Sequence, residues 1–351
     1  MNLEYLQFKD INLDDPFFDS LKDDYKEFRA WFAKKTEDKA YVFRGDSRGI
    51  DGFLYLKNEG DEVSDVEPPL PAAPRIKVGT FKINPHGTRL GERFLKKIFD
   101  HAVDAGVDEI YVTVFDKHAK LVELFERYGF VQRGIKTTPN GTELVLIRTL
   151  SDFGDDILTR YPAINVASAS TYLLSLYPQW HTRLLPDSIL LNEDTRIVED
   201  ISHTNSIHKV YLTNMRGVEN LRRGDVLVIY RTKDGQGPAR FRSVATSLCV
   251  VEEFRDISNF SSREEFLAYC RPYSVFTEQE LSQLWRRKNY PKIIRFTYNI
   301  ALGRRPNRGL LIDEVGLSEN AYWGFMRLTS DQLKHIVSLG EVNESLIVDQ
   351  A

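Results

Sequence analysis

The sequence predicts two domains: an α/β (α+β) fold with a mixed central sheet over residues 1–150, and a second, strand-rich domain over 199–351. A bridging region at 151–198 joins them. Three observations predict this. At 351 residues the chain exceeds the roughly 250–300 residues at which a single core stops growing. Residues 76–130 alternate apolar strands with helical periods, and a glycine-bearing loop at 84–92 makes the first connection. Beyond Glu199, apolar strands dominate and two helices carry N-cap signals. Apolar content of 42% and aromatic content of 12% supply two cores.

Residues 3–11 alternate apolar and polar side chains and predict a strand. Asp14-Asp15-Pro16 then opens a helix, with an acidic cap followed by proline near the first turn. Phe17, Phe18, Leu21, Tyr25, Phe28, Trp31 and Phe32 fall on its core face. Residues 39–44 and 50–58 predict two strands joined through Gly45-Asp46-Ser47-Arg48-Gly49. The acidic, proline-rich stretch 60–74 reads as an extended surface excursion. A strand at 76–83, the loop 84–92 and a helix at 93–102 follow. A strand at 109–115 and a second helix come next, ending at Arg127-Tyr128-Gly129-Phe130. A short strand from Phe130 and another at 142–149 flank the turn Pro139-Asn140-Gly141. A strand, glycine loop and helix in series aim free backbone N–H groups and a helix dipole at one point, which suits a phosphate.

This order over residues 1–150 resembles the GNAT N-acetyltransferases. In that family the loop amides hold the pyrophosphate of acetyl-CoA. His86, Arg89 and Gly91 fall on the family's loop pattern, with Gly87 just inside it. His86 stands where Arg or Gln is usual, and Arg89 where a glycine is usual. Leu124-Phe125-Glu126-Arg127-Tyr128-Gly129-Phe130 resembles the family's segment after the strands that receive the pantetheine arm, and His118 falls where an Asn often lies near the cofactor. The resemblance implies acetyl-CoA as cofactor, with Phe81, Lys82, Ile83, Thr88, Arg89, Leu90, Gly91, Glu92 and His118 around it. The family's frequent catalytic Tyr falls on Phe125, which has no proton to give. Tyr128 is a candidate acid in its place or a core residue. His86, Glu92 and His118 are candidate bases.

In the bridging region, 157–162 is short and stops at Pro162, and 172–181 is rich in Tyr, Pro and Trp, a packed irregular connection. Beyond it, strands are predicted at 208–213, 239–252 and 292–302, and another after the turn Arg222-Arg223-Gly224-Asp225. Helices at 262–269 and 277–287 start at Ser262 and Thr277, and a last helix occupies 330–339. The turn and the strands after it resemble the PUA-like superfamily, including EVE and ASCH domains, over about 200–340. That resemblance implies a small β-barrel with helices at its rim, binding RNA or a modified nucleotide. The ASCH pattern Gly-x-Lys-x-x-Glu-x-Arg is not found.

The net charge of −4 is unevenly spread: 216–308 holds 18 Lys/Arg against 10 Asp/Glu, and the remainder sums to −12. A basic segment in an acidic chain fits a polyanion partner. Arg286, Arg287, Lys288, Tyr290, Arg304, Arg305, Arg308 and Trp323 form the candidate nucleic-acid face, combining phosphate neutralisation with base stacking. His203-Thr204-Asn205 and His208, just ahead of or opening a strand, read as a capped turn or as the lining of a pocket.

No metal or ATP motif occurs. Cys249 and Cys270 have no redox spacing, Met1-Asn2-Leu3-Glu4-Tyr5 lacks the charged start and apolar run of a signal peptide, and no apolar run suits a membrane, so a cytoplasmic protein is expected.

These readings imply an acetyl-CoA-dependent N-acetyltransferase whose second domain brings an RNA-linked amine, on a tRNA, an aminoacyl-tRNA or an RNA-bound protein. RNA is favoured over DNA. The resemblance also permits a toxin with a cognate antitoxin protein. The alternatives are a nucleic-acid reader with a degenerate acetyl-CoA fold, and a protein or small-amine acetyltransferase whose second domain makes a homodimer.

Overall fold

Seven strands of the first unit, residues 1–160, form one mixed sheet in the order β1-β2-β3-β4-β5-β7-β6. The computed structural model describes residues 2–45, 49–84, 90–188 and 206–349. In chain order the elements are β1 (Asn2–Gln7), α1 (Asp19–Asp24), α2 (Phe28–Ala33), β2 (Lys39–Arg44), β3 (Ile50–Glu59) and β4 (Arg75–Ile83). There follow α3 (Leu90–Asp104), β5 (Glu109–Phe115), α4 (Ala119–Arg127), β6 (Val131–Thr138), β7 (Gly141–Thr149) and α5 (Ile157–Arg160). All neighbours pair antiparallel except β4 and β5.

The single helix expected after Asp14 is broken into pieces. The Asp15 carboxylate accepts from the Phe17 N–H at 2.9 Å and Pro16 opens a 3₁₀ turn, Pro16–Phe18. The backbone turns extended at Tyr25, with φ −128°, which separates α1 from α2. The core face is as expected: Phe17, Phe18, Phe28 and Phe32 bury against Phe8, Val42 and Phe53. Burial of this kind is worth about 1.5–3 kcal/mol per large apolar side chain.

The Arg127–Phe130 stretch is a helix stop. Gly129 takes φ +81°, its N–H bonds the Glu126 carbonyl, and the Phe130 N–H reaches back to the Phe125 carbonyl. The Phe125 and Phe130 rings close the motif at 4.8 Å. This is a Schellman ending, in which glycine carries the left-handed residue.

The excursion 60–74 folds back onto the sheet. Val63, Val66 and Leu70 bury against Tyr111, Val145 and Ile147. Glu67 and Ile135 exchange two backbone hydrogen bonds at 2.8 and 2.9 Å on the outer side of β6. The neighbouring residue must be small: a Cβ on Gly134 would lie 2.4 Å from the Glu67 carbonyl oxygen.

The second unit, residues 161–351, contains β8 (Ile164–Asn165), β9 (Thr171–Leu176), α6 (Pro178–Leu184), β10 (His208–Thr213), β11 (Val226–Arg231) and α7 (Ala239–Arg242). It continues with β12 (Val244–Asp256), α8 (Arg263–Cys270), α9 (Glu278–Arg287) and β13 (Lys292–Ala301). The last elements are α10 (Arg308–Asp313), β14 (Phe325–Leu328), α11 (Ser330–Leu339) and β15 (Ile347–Val348). Six strands pair in the order β10-β13-β12-β11-β9-β14.

Among the described residues this sheet is open, with β10 and β14 unpaired to each other, so the closed barrel is not formed. The stretch read as an irregular connection supplies β9, whose apolar run lies parallel to β11. The strand expected to start at Ala239 begins at Val244, because Pro238 sets φ −63° and caps the short helix α7 first. The predicted helix starts hold: Ser262 accepts from the Glu265 N–H, and Thr277 forms a capping box with Glu280. Among the described residues no helix is long and apolar enough to cross a membrane, and no group of three or more His, Cys, Asp or Glu could hold a metal ion. Cys249 and Cys270 are free and buried.

Candidate active site

The parallel strands β4 and β5 part company halfway. Their ladder runs from the Arg75–Glu109 pair to the Val78–Val112 pair and stops. Beyond it β4 stays with β3 as far as Ile83, and β5 stays with β7 as far as Phe115. The parting coincides with a bulge in β4. Tyr55 faces Thr80 and Leu56 faces Val78, so Gly79 is the extra residue. A side chain there has no room, because a Cβ would lie 2.7 Å from Tyr55 Cδ1.

A cavity of ≈240 Å³ opens over this wedge. Its floor is Gly79, Thr80 and Phe81 from β4 with Thr113 and Phe115 from β5. Tyr25, Phe28 and Trp31 wall it on one side, and His118, Asn140 and Glu143 complete it. Glu143 faces Phe115 across the β5–β7 ladder and shares its face of the sheet with Val145 and Ile147. It is 3% exposed. The Tyr25 hydroxyl donates to its carboxylate at 2.6 Å, and the Thr113 hydroxyl at 3.4 Å. Burial first, then this bond to Glu143, drives the Tyr25 hydroxyl far above the usual phenol range.

The cavity's other acids are engaged. Asp24 pairs with Lys117 and meets His118 Nε2 at 3.2 Å. Glu27 accepts both of its bonds from the Asn140 amide at 2.9 Å. The two lysines that line the cavity have their own carboxylates: Lys136 binds Asp65 at 2.5 Å, and Lys77 lies 3.9 Å from Glu59.

The sequence-predicted residues divide into three groups. Phe81 and His118 line the cavity. Lys82 is tied elsewhere, donating to the Phe17 carbonyl and to Ser20 Oγ, and burial lowers its pKa. Ile83, Leu90 and Gly91 sit around the β4 end and the first turn of α3. There a Cβ on Gly91 would press to 2.8 Å from Leu124. Glu92 is buried in that turn, 4.0 Å from Arg127 Nη1, and Tyr128 is buried beside Phe99. Neither lines the cavity. His86, Thr88 and Arg89 lie outside the described residues.

Phe125 is fully buried, packed on Phe81 at 5.5 Å. Sequence reasoning missed Glu143 and the polar use of Tyr25. A signal for Glu143 was available, since period two puts it in phase with the apolar Val145 and Ile147.

In the second unit Arg286, Arg287, Lys288 and Tyr290 are exposed at and beyond the end of α9. Arg304 is exposed and Arg305 partly so. Trp323 is buried: its N–H donates to the Ser318 carbonyl, and the Arg308 guanidinium lies 4.5 Å from its ring. Phe241, Tyr177 and Tyr322, at 65%, 62% and 59%, are the more open aromatic rings. His203-Thr204-Asn205 lies outside the described residues.

No family model and no curated protein matches the sequence. Solved structures of two kinds match part of the chain. An acyl-CoA N-acyltransferase from Pseudomonas aeruginosa is 16% identical, covering 42% of this chain and 100% of that one, with a TM-score of 0.30. IAA acetyltransferase from Bacillus cereus is 15% identical, covering 42% and 99%, with a TM-score of 0.32. ASCH from Zymomonas mobilis is 13% identical, covering 48% and 94%, with a TM-score of 0.31. The chain is thus similar in part to N-acyltransferases and in part to an ASCH domain, the two folds its sequence resembles.

Proposed function

We propose that residues 1–160 form an acyl-CoA-dependent N-acyltransferase with acetyl-CoA as donor and an amine as acceptor. The observation that carries this reading is the parting of β4 and β5 at Gly79 beneath a cavity that holds a buried carboxylate. When bound, the donor supplies an activated thioester carbonyl. The residues present fit such a donor. In the wedge, Thr80–Ile83 and Thr113–Phe115 have backbone groups that are not paired with each other, which suits an amide-bearing arm. The start of α3, Leu90–Glu92, has N–H groups with no intrahelical partner among the described residues, which suits an anion.

Glu143 takes the proton of the incoming ammonium, so that the free amine can attack. Tyr25 and Thr113 hold its carboxylate in place, and the aromatic wall limits water. A positioned amine and thioester need little more, since proximity alone supplies much of the rate. Phe125 is then no obstacle, because water can protonate the leaving thiolate.

The acceptor in this reading is RNA-linked, brought by the second unit. The exposed run Arg286–Tyr290 supports this, with cations for phosphates and an aromatic ring for a base.

Calorimetric titration of the full chain with acetyl-CoA tests the donor. Saturable binding is expected, and none at millimolar ligand would overturn the reading. Incubation of an RNA extract with labelled acetyl-CoA tests the acceptor, and label in protein alone would remove the RNA-linked part.

A further inference from the structure

Resting on the acyltransferase reading, we propose that the cavity of the first unit selects a primary amine with no carboxylate of its own. Such an acceptor is an amine on an apolar or aromatic group, or an amino acid whose carboxyl is esterified or amidated.

The argument starts from charge. Glu143 is nearly inaccessible, yet among the described residues it is held by two hydroxyls and no cation. A buried carboxylate is costly without a positive partner, so the cavity favours a cation that completes the pair. The cations nearby are already engaged: Lys136 with Asp65, Lys77 near Glu59, and Lys117 with Asp24. An ammonium entering the cavity therefore meets, in Glu143, a buried carboxylate that no cation neutralises among the described residues. Among the described residues, a carboxylate entering with it finds no unengaged cation and lies close to Glu143, Asp24 and Glu27.

Shape points the same way. Tyr25, Phe28, Trp31 and Phe115 give the wall an aromatic character, which suits both an apolar substituent and the cation itself. The volume of ≈240 Å³ falls below the roughly 300–1,000 Å³ of pockets that enclose whole drug-sized ligands. The cavity thus takes the reactive end of an acceptor and leaves any larger body outside. An amino acid esterified to an RNA end has this form, with a free amine, a side chain and no carboxylate.

The test uses the full chain with CoA present and three probes that share a phenyl group: phenethylamine, phenylalanine methyl ester and free phenylalanine. Calorimetry is expected to show the first two binding at least about tenfold more tightly than free phenylalanine, a gap of ~1.4 kcal/mol. Glu143→Gln keeps the shape and both hydroxyl neighbours. It is expected to weaken phenethylamine by about tenfold or more and to leave CoA affinity unchanged. Free phenylalanine binding as well as its ester, no binding of phenethylamine, or an indifferent Glu143→Gln variant would each overturn the inference. Loss of the acyltransferase reading has a separate signature, since acetyl-CoA itself then fails to bind.

Discussion

The Tyr25 hydroxyl meets the Glu143 carboxylate at 2.6 Å, although 118 residues separate the two along the chain. One lies at the end of α1 and the other at the start of β7, so the bond exists only when the sheet is complete. Because its pKa is raised far above the ordinary phenol value, Tyr25 stays protonated at any working pH and can only donate to Glu143. Tyr25→Phe removes that donor and keeps the ring. A hydrogen bond to a charged group is worth about 1.5–3 kcal/mol. The variant is therefore expected to lose about tenfold to a hundredfold in kcat/KM for phenethylamine, measured by thiol release, with acetyl-CoA affinity unchanged.

Gly79→Ala tests the wedge. Its Cβ would press on Tyr55 at 2.7 Å, so the bulge must shift or Tyr55 must move. Overpacking of this kind costs about 1–3 kcal/mol. Urea unfolding is expected to show that loss, and calorimetry a weaker affinity for acetyl-CoA. Gly60→Ala has nothing within 4 Å and serves as the neutral comparison.

His181 gives the second unit a pH dependence. Burial first, then Arg231 and Arg305, push its pKa down to about 3 from the ordinary 6.5. The unfolded chain therefore binds a proton between these values that the folded chain refuses, so stability falls as pH drops through that window. The loss attributable to His181 is about 2 kcal/mol between pH 7 and pH 5. His181→Gln, which can still meet Thr246 Oγ1 at the position His181 Nε2 occupies at 2.8 Å, is expected to flatten this part of the profile in urea unfolding from pH 4.5 to 7.

The basic residues of the second unit separate into two kinds. Arg286, Arg287 and Lys288 are exposed, and replacing all three by Ala is expected to weaken RNA binding and lower the salt slope by about one per residue. Arg308 lies over Trp323 and donates to the Glu319 carbonyl at 3.0 Å. Arg308→Ala is expected to lower the thermal midpoint with a smaller effect on the salt slope. Filter binding at several salt concentrations distinguishes the two.

Much of this fold is legible in the sequence because its signals are local. The strands at 39–44, 109–115 and 208–213 and the helix at 330–339 end where apolar period and capping residues place them. What is hidden depends on distant partners. The run Thr171–Leu176 looks like linker until β11 lies beside it, and the openness of the second sheet depends on which strands fail to meet. At the site, the sequence points to the Phe81 end of β4 and to His118. It could not show that Lys82 is tied to α1, or that Tyr128 is buried away from the cavity. Glu143 was readable in phase, but its meaning needed Tyr25 to arrive from the far end of the domain.

The stretch 60–74 does more than cover a face. β6 is the last strand of the first sheet, and Val131 and Ile135 leave it partly apolar on the outside. An open edge of that kind is a template on which another chain can add a strand. The two bonds between Glu67 and Ile135 occupy the middle of that template. The prolines nearby have no N–H with which to extend the pairing further. The acidic, proline-rich segment thus covers this edge against the addition of another strand, and a protease cut within it is expected to expose the edge and promote aggregation.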